Sequence, residues 1–259
     1  YGETWTLRNN GLTDRDIRAL AIHEVDGKTM VAGSYDGKVF YSTDGGENWQ
    51  EANQQLEAGV SRMFINPYEP SQAWAIIREE LVGIQGLAKV YRTDKLQDWT
   101  EVVELDIDSG GGSFQGQMTF QSDSIWFAGT MLYQLPEGGV WTEKQHLDGT
   151  PAAMAISPAD AQVMYLGTDM GIEKTSNGGT AWTAMNNGLA AMNPSGLAVS
   201  QSDPNTVYVK THQGIYKSTD AGNSWLYLHY GVGGFAAAIG TGTDQMLYYT
   251  RQCTGEFCI

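Results

Sequence analysis

Residues Ser42 to Trp49 read S-T-D-G-G-E-N-W, and complete or eroded copies of this octapeptide return through the rest of the chain. In physical terms it is a hairpin turn followed by a plug. Asp44 accepts hydrogen bonds from its own turn, Gly46 takes the positive φ that the reversal needs, and Trp49 opens the next strand and buries a large ring. Ser218 to Trp225, S-T-D-A-G-N-S-W, repeats the pattern with Asp220, Gly222 and Trp225. Thr175 to Trp182, T-S-N-G-G-T-A-W, keeps the frame with Asn177 in the Asp place, then Gly179 and Trp182. Two copies are partial. Arg92 to Trp99 retains Asp94 and Trp99 with Leu96 at the Gly position, and Gln134 to Trp141 retains Gly138 and Trp141 with Pro136 at the Asp position.

The tryptophans at 5, 49, 99, 141, 182 and 225 are spaced by 44, 50, 42, 41 and 43 residues. A period of this size, with several short strands and one turn per unit, is the signature of propeller blades. Other positions recur in phase: Asn9, Asn53 and Asn186 each stand four residues after a tryptophan, and N-N-G-L occurs at Asn9 to Leu12 and again at Asn186 to Leu189. The first full unit predicts strands at Ile17 to Ile22, Thr29 to Gly33, Val39 to Thr43 and Trp49 to Glu51, separated by Gly, Asp and Asn turns. No segment has sustained helical periodicity, so the chain reads as all-β. The expected fold is a single six-bladed β-propeller of four-stranded antiparallel blades, with boundaries near 12–53, 54–103, 104–144, 145–186, 187–228 and 229–259 plus 1–9. Its last blade takes three strands from the C-terminus and the outer strand, Trp5 to Arg8, from the N-terminus, which removes free sheet edges. A slice through a longer repeat array is the alternative.

These turns resemble the Asp-box, or BNR, repeats of sialidases, xyloglucan-cleaving glycosidases, sortilin-type receptors, the photosystem II assembly factor family and many secreted bacterial propellers. The resemblance covers nearly the whole chain and implies the propeller fold; the family uses the turn as a structural element in enzymes and non-enzymes alike. It also implies where ligands bind: on the face opposite these turns, in the loops joining second to third strands and one blade to the next. Those loops include Ser34 to Lys38, Arg78 to Ala88, Thr168 to Gly171, Thr211 to Gly214 and Thr250 to Glu256. Arg78 to Ala88 lengthens its unit and is a candidate functional insertion.

Thirty acidic residues against fifteen basic ones give a net charge of −15, the wrong sign for the phosphate neutralisation of nucleic-acid binding. No apolar run is long enough to span a membrane, and neither a signal peptide nor an initiating Met is present. Cys253 and Cys258 flank T-G-E-F at a predicted hairpin and form either a disulfide or a pair of reduced thiols. The sequence carries no cofactor motif. His23, His146, His212 and His229 fall in different units, and Leu105 to Gly112 offers Asp106, Asp108 and Ser109 without the remaining spacing of a calcium loop, so no metal site is expected. Trp49, Trp99, Trp141, Trp182 and Trp225 read as packing between blades, and Trp74 and Trp126 as core.

A sialidase reading of the resemblance asks for three arginines on a carboxylate, a Tyr–Glu nucleophile and an acidic partner. Arg15, Arg78 and Arg251 fall in loops of one face, near Asp36 and Asp169, but the family's R-I-P motif is missing. Asp36, Arg78, Asp169 and Arg251 are therefore the candidates for catalysis. The leading reading is a non-catalytic binding or scaffolding propeller, secreted, periplasmic or on the cell surface, engaging a protein partner or a glycan. The alternative is a glycoside hydrolase with a carboxylate site at the channel mouth.

Overall fold

The computed structural model describes residues 6–79, 85–108, 117–121, 124–128, 131–146, 149, 151–190, 193–200 and 202–230. The chain divides into two compact units, Tyr1–Gly112 and Ser113–Ile259. Among the described residues every regular element is a strand, and the strands form five four-stranded antiparallel sheets with their strands in chain order. The first unit holds β1 (Ile17–Ile22), β2 (Met30–Ser34), β3 (Val39–Ser42) and β4 (Gln50–Glu51), then β5 (Val60–Asn66), β6 (Glu69–Glu79), β7 (Gln85–Thr93) and β8 (Thr100–Asp108). The second holds β9 (Gln117–Phe120), β10 (Ser124–Ala128), β11 (Met131–Pro136) and β12 (Thr142–His146). It continues with β13 (Pro151–Ile156), β14 (Met164–Thr168), β15 (Gly171–Thr175) and β16 (Thr183–Ala184), and ends with β17 (Gly196–Val199), β18 (Val207–Lys210), β19 (Gly214–Ser218) and β20 (Leu226–Tyr230).

Where six sheets are expected, five are described. Most of the sequence assigned to the sixth, and both Cys253 and Cys258, lie outside the described residues. The strand expected at Trp5 to Arg8 differs as well. Residues 6–8 are irregular, and the Arg8 carbonyl instead accepts the indole N–H of Trp49 at 2.9 Å. Arg78 to Ala88, read as a loop, is strand at both ends: residues 78–79 belong to β6 and 85–88 to β7, with Glu79 opposite Leu87, and 80–84 lie outside the described residues. Asp106 and Asp108, weighed as loop ligands for calcium, fall within β8.

The sheets pack face to face through alternate strand positions. In the first unit, Val31, Val39 and Tyr41 meet Val60, Met63, Ala75, Ile77, Tyr91 and Trp99. In the second, Trp126 and Leu132 meet Met154, Met164 and Leu166, while Tyr165 and Ile172 meet Val199, Val207, Val209, Tyr216 and Trp225.

The S-T-D-G-G-E-N-W turn has a specific hydrogen-bond plan. The buried Ser42 hydroxyl accepts from the amides of Asp44 (3.3 Å) and Gly46 (3.0 Å) and donates to Asp44 Oδ1 (2.8 Å). Asp44 then accepts the Asn48 amide at 2.9 Å and its side chain at 2.8 Å. Ser218 and Asp220 repeat this with Gly222 and Ser224, and Thr175 with Asn177 repeats it with Gly179 and Ala181. Asp44 and Asp220 are drawn down to a pKa of about 2, Asp44 first by the Asn48 amide and Asp220 first by the Ser224 hydroxyl.

The partial copies adopt a different frame. In blade 2 the buried hydroxyl is Thr93, which accepts from Lys95 N (3.2 Å), so the turn is one residue shorter; Asp94 faces Arg92 (2.6 Å) and Gln72 (3.1 Å) instead of capping the loop. In blade 3, Pro136 O accepts from Gly139 N (3.0 Å) in a plain four-residue turn. Leu96, with φ 65°, takes the left-handed conformation that the strong copies give to glycine.

The recurring N-N-G-L is a dock for the tryptophan one period later. Asn10 O accepts Trp49 N and Asn187 O accepts Trp225 N, at 2.8 and 3.0 Å. Gly11 and Gly188 have φ of 90° and 88°, and a Cβ there would come within 2.0 and 2.5 Å of the Trp49 and Trp225 carbonyl oxygens. Trp225 donates its indole N–H to Met185 O at 2.7 Å, as Trp49 does to Arg8. Trp182 is only half-buried, and its indole nitrogen has no hydrogen-bond partner among the described residues.

Two stability tests follow from these turns. Trp99→Ala, at 2% exposure, is expected to cost about 3–5 kcal/mol, with a smaller loss for half-buried Trp182→Ala; equal losses in thermal melts would contradict the packing order. Asp44 and Asp220 have folded pKa values below the unfolded 3.8, so their stabilisation is full above about pH 4 and disappears as pH falls towards 2. The Asp44→Asn/Asp220→Asn protein should lose less melting temperature between pH 4.5 and 2.5 than the parent, and parallel curves would remove the carboxylates from that role.

Candidate functional site

At the end of each blade opposite these turns, a short hairpin joins the second and third strands. Three open on a fully buried hydroxyl and carry a glycine at the fourth place: Ser34-Tyr35-Asp36-Gly37, Thr168-Asp169-Met170-Gly171 and Thr211-His212-Gln213-Gly214. Thr168 and Thr211 accept the amide two residues on, Met170 (3.1 Å) and Gln213 (3.2 Å), whereas Ser34, in a longer loop, accepts that of Lys38 four residues on (3.1 Å). The two side chains between hydroxyl and glycine differ from tip to tip.

A second device lies on the first strand of three sheets. The β1–β2 register shifts between Ile17 and Ala19, the β5–β6 register between Val60 and Arg62, and the β13–β14 register between Pro151 and Ala153. A bulge re-aims the extra residue and bends the strand at its end. In the first blade that residue is Arg18.

Arg18 is part of a chain of contacts that ends on Tyr35. The Asp16 amide donates to Asp14 Oδ1 at 3.0 Å. The Asp16 carboxylate takes the Arg18 fork at both oxygens, Nε to Oδ1 at 2.7 Å and Nη2 to Oδ2 at 3.0 Å. The guanidinium carbon lies 5.0 Å from the centroid of Tyr35, whose amide donates to Asp16 O at 2.9 Å. Tyr35 remains 61% exposed. Beside it, Lys38 Nζ lies 3.1 Å from Glu51 Oε1, and Thr13 donates to Glu51 Oε2 at 2.5 Å. The tip is also pinned from outside: Leu56 N donates to Gly37 O, and a Cβ at Gly59 would stand 2.3 Å from Tyr35 O.

The electrostatics of this cluster are those of held anions. The Asp16 amide, with help from Ser34, lowers the Asp14 carboxyl, and the Thr13 hydroxyl lowers Glu51. The Asp16 hydrogen bond raises Arg18. Carboxylates of this kind accept hydrogen bonds from ligand hydroxyls; they do not supply the proton that a general acid delivers at neutral pH.

Of the four sequence candidates, Asp36 is exposed at the tip between β2 and β3 in the first unit, Asp169 stands on the tip between β14 and β15 in the second, Arg78 is the penultimate residue of β6, and Arg251 lies outside the described residues. Sequence reading passed over Arg18 because it sits in a predicted strand. Its signal is a register shift, which alternation alone does not reveal. Among the described residues no group of three or more His, Cys, Asp or Glu is placed to hold a metal ion.

No family model matches the chain, and neither does any curated protein. Solved structures do match in fold. The GH74 enzyme of Niastella koreensis superposes with a TM-score of 0.62 at 16% identity, covering 85% of this chain and 32% of its own. An ancestral GH74 enzyme gives 0.62 at 15% identity, with 87% and 34% coverage. The fold is that of a β-propeller. This chain spans about a third of the length of those enzymes, and at such identity the likeness concerns the blades alone.

The pinning of the tip has a direct check. Gly59→Ala forces Tyr35 O away from a Cβ 2.3 Å distant and is expected to cost roughly 1–3 kcal/mol. An unchanged melting temperature would show that the tip yields freely.

Proposed function

We propose that the chain is a binding propeller that recognises a glycan at the hairpin end of its blades and does not cleave it. Tyr35 carries the reading: an exposed ring on a pinned tip, braced by a guanidinium that Asp16 holds in a bidentate fork. An amphipathic ring of this kind stacks on the apolar face of a sugar, while Asp36 and the polar edges of Asp16 and Arg18 meet its hydroxyls. The location that fits is secreted, periplasmic or cell-surface, where polysaccharides are met. Among the described residues no helix is long and apolar enough to cross a membrane.

The glycoside hydrolase reading is the second one, favoured by the fold likeness to two GH74 enzymes. It requires a carboxyl that keeps its proton at neutral pH. The displaced carboxyls beside Tyr35 are displaced the other way.

The same proposal includes a sixth blade drawn from residues 229–259 with 1–9, as the repeat spacing predicts, and a bridge between Cys253 and Cys258. Thiol titration of the unfolded, unreduced protein would give no free thiol if the bridge exists.

Binding is tested by affinity electrophoresis and calorimetry against soluble polysaccharides, xyloglucan and other β-glucans included. Tyr35→Ala is expected to weaken binding at least tenfold with an unchanged melting temperature. Release of reducing ends would replace the binding reading with the hydrolase one. Absence of binding to every glycan would return the surface to a protein partner.

A further inference from the structure

We propose that the thioether of Met170 is a site of reversible oxidation to the sulfoxide, placed on the tip between β14 and β15 as a switch from an apolar to a polar contact. This inference is independent of the glycan reading.

Exposure separates Met170 from the other described methionines. It is 65% exposed, whereas Met63, Met118, Met154 and Met164 lie between 0% and 9% and belong to packed sheet interiors. Met30 and Met185 are half-buried against the clusters around Phe40 and Tyr165. Thioether oxidation follows access, so only Met170 among these offers its sulfur directly to a dissolved oxidant.

The backbone under it is fixed. The Met170 amide donates to the buried Thr168 hydroxyl at 3.1 Å, and its carbonyl accepts from Asn186 Nδ2 at 3.5 Å. Gly171 at φ 119° packs so closely that a Cβ would stand 2.3 Å from Asn186 Oδ1. The tip cannot withdraw its side chain by refolding locally. Gly149 passes alongside with no side chain of its own, and a Cβ there would come within 3.1 Å of Met170 Cγ.

The chemistry is a two-electron oxygen transfer. Hydrogen peroxide breaks its O–O bond, one oxygen bonds to Sδ, and the other leaves as water; sulfur is oxidised and the peroxide reduced. A dithiol-driven methionine sulfoxide reductase returns the thioether, with water and a disulfide as products. The sulfoxide adds a strong acceptor next to Asp169 and makes polar an apolar surface group at the place in the hairpin sequence that Asp36 holds in the first sheet. Met170 belongs to no core cluster, so the change alters the surface and leaves the packing intact.

The test is limited peroxide treatment of the native protein with peptide mapping by mass spectrometry at timed intervals. Met170 is expected to oxidise at least tenfold faster than Met30 and Met185, with an unchanged melting temperature and full return under methionine sulfoxide reductase. Met170→Leu should remove that modification and leave the slow ones unaltered. A Met170 rate no greater than those of Met30 and Met185 would overturn the proposal. So would a melting temperature that falls in step with Met170 oxidation, since that result marks structural damage.

Discussion

A buried hydroxyl at the end of the third strand, present in four of the five described sheets, is the constraint on which those blades depend. The strand ends between packed faces, where unsatisfied amides are costly, and the chain must reverse there. Ser42, Thr175 and Ser218 meet that requirement by accepting two amides each, and Thr93 meets it in a shorter loop with one. The reversal then delivers a tryptophan to a carbonyl one period back, as Trp49 reaches Arg8 and Trp225 reaches Met185. The turn also reaches its neighbour in other ways. Ala221 O accepts both Tyr165 Oη and Lys174 Nζ from the preceding blade, at 3.0 and 2.9 Å, and Gln97 donates to Tyr41 Oη at 3.0 Å. Within each unit, neighbouring blades therefore complete one another, as expected of stacked repeats.

Where hydroxyl and tryptophan stand seven residues apart, as in Ser42 to Trp49, Thr175 to Trp182 and Ser218 to Trp225, aligning on the tryptophan places every turn residue correctly. Thr93 stands six residues before Trp99 and Pro136 five before Trp141, so the same alignment slides Asp94 into a capping role that it does not fill. Strand existence was legible because period-2 alternation follows burial. Strand length was not, as the extension of β6 to Glu79 and of β7 back to Gln85 shows: pairing continues into both ends of the supposed loop without an apolar pattern to announce it.

The candidate site was legible by location and opaque in composition. The Ser34 to Lys38 hairpin follows from counting strands. The partner of Tyr35 follows from a bulge at Arg18, and the bulge residues of the three blades, Arg18, Ser61 and Ala152, share a backbone position with no common chemistry. The tips behave in the same way, since Tyr35-Asp36, Asp169-Met170 and His212-Gln213 vary behind a buried hydroxyl that accepts a loop amide in each. The buried hydroxyls hold the backbone of the tips and the exposed pairs do not, so the pairs can change without loss of the turn.

Six of the thirty acidic residues have a structural role that bears on chemistry. Asp14, Asp44, Asp203, Asp220 and Glu51 all have their carboxyls held below the usual range by amide or hydroxyl donors within turns or at strand ends. At Asp26 partial burial pushes upward, and the amides of Thr29 and Lys28 outweigh it. A general acid needs the opposite surroundings, apolar burial or a like-charged neighbour that keeps the proton on. These carboxylates are instead acceptors for tight reversals in a fold built from short strands. At the first tip they lie beside a braced aromatic ring, with Asp14 and Glu51 held as anions by donors of their own loop.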